Sequence, residues 1–164
     1  MKGPICETCA KSGFLCQGCE SRLAKGEISQ ADIEATRLLY ELEANQTIPE
    51  TEFERSIELD GLLLLLVRGR VAALIGKGGR VVRMLSEKLG RKVRIIGAGD
   101  ERTMIRDLVF PARIFGMNVL HTKEGEEYTV VIPEEDRKKL VISEEILKKA
   151  VSVLSSKKIN ISFG

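Results

Sequence analysis

Aromatic side chains are scarce, with two Tyr, five Phe and no Trp among 164 residues. That scarcity argues against a surface built on rows of aromatic stacking platforms. The one histidine, His121, falls at a strand end before a polar turn and reads as a surface residue rather than a ligand. Without a positioned histidine, paired carboxylates or a nucleophile beside a base, the chain is expected not to be an enzyme. The longest apolar run, Leu62 to Val67, is far shorter than the roughly 20 residues a bilayer span needs. No apolar leader follows Met1-Lys2-Gly3-Pro4, so no membrane association is expected and the expected compartment is cytoplasmic. Side-chain amides are also few, three Asn and three Gln, on a surface rich in Glu and Lys, a balance common in heat-adapted proteins.

What is present divides the chain. Hydrophobic residues make up 43% and charged residues 30%, enough for a core and a solvated surface. The net charge of +2 is unevenly spread. Residues 1–56 carry a net −4, residues 57–99 a net +6, and residues 100–164 a net 0. Between Arg68 and Arg94 nine cations face a single acid, Glu87. A local field of that sign suits phosphate, most economically that of nucleic acid.

All four cysteines fall in Cys6-Glu7-Thr8-Cys9 and Cys16-Gln17-Gly18-Cys19. Two Cys-x-x-Cys pairs can close a tetrahedral shell of four sulfurs, and soft thiolates in that set favour Zn2+ over Mg2+ or Ca2+. The set is closed, so the zinc is expected to be structural and to supply folding energy. The spacer Ala10 to Leu15 is expected to form a hairpin turning at Ser12-Gly13. A reducing compartment disfavours disulfides, and a thioredoxin-type pair would need a single motif in a βαβ setting. An iron–sulfur cluster stays open on cysteine count alone.

Ser29-Gln30-Ala31-Asp32 is a capping-box-like start for a helix whose apolar stripe includes Ile33, Leu38, Leu39 and Tyr40. The organisation expected is a four-cysteine module plus helix over 1–45, a linker over 46–52, and two further domains over 53–98 and 99–164. Glu41, Glu43, Glu50, Glu52 and Glu54 would repel RNA, so the acidic arm is expected to touch protein or to pack on the domain that follows.

In the basic segment, Asp60-Gly61 separates Ser56–Leu59 from Leu62–Val67, a strong two-residue hairpin signal. A short apolar helix, Val71 to Ile75, leads into Gly76-Lys77-Gly78-Gly79. A second helix begins at Arg80 and closes at Gly90, and Lys92 to Ile96 returns as a strand. A P-loop is excluded, because no glycine lies five residues before Gly76 and Gly78 replaces the Mg2+-binding Ser/Thr. The final third repeats the order. Glu101–Val109 reads as a helix, Ala112–Leu120 and Glu127–Ile132 as strands, Glu144–Leu154 as a helix and Lys158–Ser162 as a strand. Walking back from the last strand sets Ile142-Ser143-Glu144-Glu145 opposite the glycine loop. Those residues suit a helix start, with Ser143 as N-cap, and deny a phosphate site.

The stretch Leu74-Ile75-Gly76-Lys77-Gly78-Gly79-Arg80-Val81-Val82 resembles the K-homology (KH) RNA-binding domain, marked by a GxxG loop between two helices. Glycines let backbone approach a sugar-phosphate chain, and the second helix aims its N-terminus at phosphate. The resemblance implies a clamp on about four single-stranded nucleotides. It assigns RNA contact to Ile75, Gly76, Lys77, Gly78, Gly79, Arg80 and Arg83, with Arg68 and Arg70 beside them and Val71 and Val82 walling a groove for bases. The whole arrangement is similar to the tandem type II KH pair of the NusA family. Within it, archaeal NusA-like proteins carry an N-terminal zinc module reading Cys-x-x-Cys…Ser-Gly-x-Leu-Cys-x-x-Cys. The implied fold is α+β: two KH-like units, each a three-stranded sheet with helices on one face, the second degenerate. The implied function is binding of single-stranded RNA or ribosomal RNA, in transcription elongation or termination with RNA polymerase, or alternatively at the ribosome. A third alternative is a protein–protein adaptor whose zinc module carries the interaction.

Overall fold

Asp60 and Gly61 both take positive φ, 42° and 84°, the handedness that a tight hairpin between twisted strands requires. They join β1 (Glu52–Leu59) to β2 (Leu62–Arg68) with Leu59 opposite Leu62. The computed structural model describes residues 1–164, which divide into two compact units, 1–98 and 99–164. The fold class is mixed α+β, with two three-stranded sheets and seven α-helices.

Unit 1 begins with α1 (Glu7–Ser12), α2 (Gln17–Ala24) and α3 (Gln30–Ala44). After β1 and β2 come α4 (Val71–Ile75), a 3-10 turn over Lys77–Gly79, α5 (Arg80–Leu89) and β3 (Lys92–Gly97). The sheet order is β1-β2-β3, antiparallel in the first pair and parallel in the second. Leu63, Leu65 and Val67 of β2, with Val93 and Ile95 of β3 and Phe53 of β1, form one core with Leu74 of α4 and Val81 and Leu85 of α5. Each such fully buried side chain stabilises the fold by about 1.5–3 kcal/mol relative to exposure.

Helix α3 joins that core and a second one. Ala31, Ala35, Leu38, Leu39 and Leu42 pack with the sheet cluster, while Ile33 packs with Ile5, Cys9, Cys19 and Ile28. Its start is the capping box expected from Ser29 and Asp32. Asp32 also does something no local pattern announces. Its Oδ2 accepts from the Ser29 amide at 2.9 Å, and its Oδ1 accepts from the Ser56 amide and hydroxyl, each at 2.6 Å. One buried carboxylate thereby fastens α3 to β1. The helix's acids are matched within unit 1: Glu41 faces Lys88, Glu34 faces Arg91, and Glu43 holds the Met1 ammonium at 2.9 Å.

Unit 2 repeats the order with α6 (Glu101–Val109), β4 (Gly116–Thr122), β5 (Gly125–Ile132), a 3-10 turn over Glu134–Lys139, α7 (Glu144–Ser155) and β6 (Lys158–Phe163). Its sheet order β4-β5-β6 has the same antiparallel and parallel pairs. The first strand of this unit starts four residues later than its apolar pattern suggests, because Arg113 is drawn to Asp136 instead. Its amide and Nε each donate to Asp136 Oδ2 at 2.8 Å, and Glu135 takes another guanidinium N–H. A second polar tie has Lys157 donating to Glu101 at 2.7 Å and pairing with Glu126 at 2.9 Å, while the Tyr128 hydroxyl donates to Glu101.

Candidate functional site

The four thiols are brought together by two helix starts. Cys6 is the N-cap of α1 with Cys9 three residues on, and Cys16 is the N-cap of α2 with Cys19 three residues on. The spacer is therefore not the expected hairpin. Residues 7–12 are helical and end on Gly13 in the left-handed conformation (φ 78°), from which Phe14 and Leu15 lead into α2. At α2 the Cys16 sulfur accepts the Cys19 N–H that a helix start leaves unpaired, whereas Cys6 makes no such bond at α1.

All four Sγ atoms lie within 4.8 Å of one another, so the set could hold a metal ion. The Cys6 and Cys9 sulfurs are 3.3 Å apart, and those of Cys6 and Cys16 3.9 Å apart. Backbone amides point at the sulfurs: Cys16 N–H to Cys9 Sγ at 3.0 Å, Cys19 N–H to Cys16 Sγ at 3.5 Å, and Cys6 N–H to Cys19 Sγ at 3.5 Å. Such donors stabilise thiolate and orient a ligand. The Cys19 amide, followed by the neighbouring sulfurs, brings Cys16 down to about 7. Cys9 is pulled down by the Cys16 amide, but burial and the three adjacent thiols outweigh it and push Cys9 up to about 12. Two contributors carry no mark in the sequence beyond helical period. Ile33 of α3 packs against Cys9 and Cys19, and Arg37 Nε donates to the Cys9 carbonyl at 3.4 Å.

The second candidate feature is the loop between α4 and α5. Gly76, Gly78 and Gly79 all have positive φ, at 76°, 64° and 76°. They are not equivalent. A Cβ on Gly76 would stand 2.7 Å from Val81 Cγ2 and 2.9 Å from the Val81 amide nitrogen, so glycine there serves packing. A Cβ on Gly78 would meet nothing within 4 Å, and Gly78 faces open space. Gly79 is the N-cap of α5 and offers no side-chain cap to it. Ile75, Val71 and Val82 are half-buried against the sheet core, leaving apolar surface beside the loop.

The cations sort into two groups. Arg68 pairs with Glu54 at 2.5 Å and Arg91 with Glu58, so both are committed within the unit. Arg70, Lys77, Arg80 and Arg83 are exposed and have no carboxylate partner. The structure thus gathers four unneutralised cations around an open glycine loop. In unit 2 the matching stretch is Leu140-Val141-Ile142-Ser143, two residues earlier than the alignment by strands, because α7 is two residues longer than α5. Ser143 caps α7 by accepting from the Ile146 amide at 3.3 Å. His121 is exposed, with Nδ1 3.6 Å from Glu126. No helix is long and apolar enough to cross a membrane.

No protein-family model matches the chain, and no curated protein matches it in sequence. Among solved structures it is similar to the archaeal protein titled "Crystal structure of APE1850", at 20% identity and a TM-score of 0.54. That match covers 77% of this chain and 96% of the other, and it extends to the fold alone.

Proposed function

We propose that the chain is a non-enzymatic RNA-binding protein of the KH type, related in role to NusA-like factors of transcription elongation or termination. The carrying observation is the loop at Gly76–Gly79. Open backbone at Gly78, an α5 start without a side-chain cap, and unpaired Arg70, Lys77, Arg80 and Arg83 together suit an anionic chain lying across it. The order β-β-α-GxxG-α-β, with α3 on the same core, supports the KH reading. Titrating a labelled single-stranded RNA pool at two salt concentrations tests it. The parent should bind with a negative slope of log K on log salt, and a Lys77→Asp/Gly78→Asp variant, folded by circular dichroism, should lose most of that affinity. Equal binding by the variant would refute the clamp.

The metal of this reading is zinc. A Zn–S bond of about 2.3 Å in tetrahedral geometry sets sulfurs about 3.8 Å apart, a spacing the four thiols can adopt with little movement. Cys6, Cys9, Cys16 and Cys19 would hold it, supplying structure rather than chemistry, and the three N–H donors would fix the thiolates. Phe14, which is 81% exposed beside this cluster, favours an added role in docking the chain to protein, of RNA polymerase or of the ribosome.

A further inference from the structure

The four sulfurs of the cysteine cluster are not equivalent, and two independent features rank them. Cys9 and Cys19 are almost fully buried, at 1% and 3% exposure, whereas Cys6 and Cys16 are open to solvent. Backbone N–H groups divide them differently. The Cys9 sulfur accepts from the Cys16 amide, the Cys16 sulfur from the Cys19 amide, and the Cys19 sulfur from the Cys6 amide. The Cys6 sulfur accepts no N–H and caps α1 by position only. Its neighbours are two other sulfurs, Cys9 at 3.3 Å and Cys16 at 3.9 Å. Of the four, Cys6 alone is both exposed and without an amide donor.

Once a metal is bound all four ligands are thiolates, so acidity no longer separates them. Access and retained charge do. An N–H donor stabilises the thiolate it faces, and that stabilisation is lost when the sulfur attacks an electrophile. Cys6 has none of it to lose. We propose that Cys6 is a modification site, the sulfur at which hydroperoxides enter the cluster, and that Cys9 resolves it as a disulfide across the first turn of α1. The proposal rests on the reading of the cluster as a zinc site. In the first step the Cys6 thiolate attacks a peroxide oxygen. An S–O bond forms, the O–O bond breaks, and the departing alkoxide or hydroxide takes a proton from solvent. The Cys9 thiolate, the nearer of the two neighbouring sulfurs, then attacks the sulfenic sulfur of Cys6. An S–S bond forms, and hydroxide leaves and is protonated to water. Two thiolates are oxidised to one disulfide, and the peroxide is reduced to an alcohol or water plus water. That bond withdraws two of the four ligands, so the metal is released with it. Cys9 packs with Ile33 of α3, and the loss therefore reaches the helix that also packs on the sheet core.

The test uses the full chain loaded with zinc, its metal content measured before each reaction. A limiting dose of N-ethylmaleimide followed by peptide mass mapping ranks the four sulfurs without any substitution. Cys6 should be labelled first, about fivefold faster than Cys16, the factor that one hydrogen bond of ordinary strength corresponds to. Hydrogen peroxide on unlabelled protein should then give the Cys6–Cys9 disulfide, with zinc appearing in step on a chromogenic chelator. Labelling that falls first on Cys16, or equally on Cys6 and Cys16, would overturn the choice of Cys6 and leave the zinc reading standing. A Cys6–Cys16 disulfide formed ahead of Cys6–Cys9 would overturn the resolving role of Cys9. A chain that takes up no zinc would refute the metal reading, and the proposal with it.

Discussion

The two units share one topology and differ most where their two helices meet. In unit 1 that junction is Gly76-Lys77-Gly78-Gly79, open, left-handed and surrounded by unpaired cations. In unit 2 it is Leu140-Val141-Ile142-Ser143, with Ile142 buried and Ser143 capping the helix that follows. The same fold therefore accommodates either a junction optimised for its own helix or one left unsatisfied. A side-chain cap is worth about 1 kcal/mol. Unit 1 forgoes it, and accepts three left-handed backbone positions, in exchange for an accessible N-terminus.

The largest test of the contrast is metal removal, since only unit 1 has a thiol cluster. Chelation, or Cys9→Ser, should unfold α1 and α2 and strip the Ile33 face of α3 of its cover. Structural zinc in small modules contributes on the order of 10 kcal/mol to folding. Amide hydrogen exchange should show the loss confined to unit 1, and equal loss in unit 2 would break the distinction. Next in size is Asp32→Ala, which removes three hydrogen bonds to a buried carboxylate and should cost unit 1 about 2–4 kcal/mol. Denaturant titration measures that cost.

In unit 2 the lever is acid, acting through one ion-paired carboxylate. The Arg113 guanidinium and amide, with Lys139, hold the Asp136 carboxyl well below the usual carboxylate range. A carboxylate whose folded pKa is depressed stabilises the fold above its unfolded value, near 3.9, and that contribution is lost as pH falls towards the folded value. Thermal melts of Asp136→Asn should therefore sit several degrees lower than the parent at neutral pH and converge with it in strong acid. A gap that stays constant with pH would show that packing, not charge, holds the turn. The smallest effect expected is from Ser143→Ala, about 1 kcal/mol in unit 2 by denaturant midpoint. Gly79→Ser sharpens the comparison from the other side. Its φ of 76° penalises the serine, so restoring a cap residue there should not stabilise unit 1.

Much of this was legible wherever the cause is local. Asp60-Gly61, Ser29 with Asp32, the apolar stretch Val71–Ile75 and the Ser143 cap all act within four residues, and each forms the element its chemistry calls for. The cysteine cluster was legible as a ligand set but not in its conformation, because spacing alone does not distinguish a hairpin knuckle from a helix start. Pairings over long separations were not legible at all. Nothing near Asp32 announces Ser56, nothing near Arg113 announces Asp136, and Glu54 withdraws Arg68 from the free cations. The glycine loop was visible as a motif. That Gly76 is held by Val81 while Gly78 is unconstrained needs coordinates.

Helix α3 presents two faces to two cores, one built around sulfur and the other around leucine. Shortening the protein to the three-stranded sheet of unit 1 and the helices that follow β2 would therefore not yield a self-contained fragment. Cutting ahead of Ile28 would bare a hydrophobic flank on the very helix that seals the sheet, and the product should self-associate. A designer seeking a smaller molecule would need to repaint that flank with polar side chains, Ile33 first, before dispensing with the cysteine module.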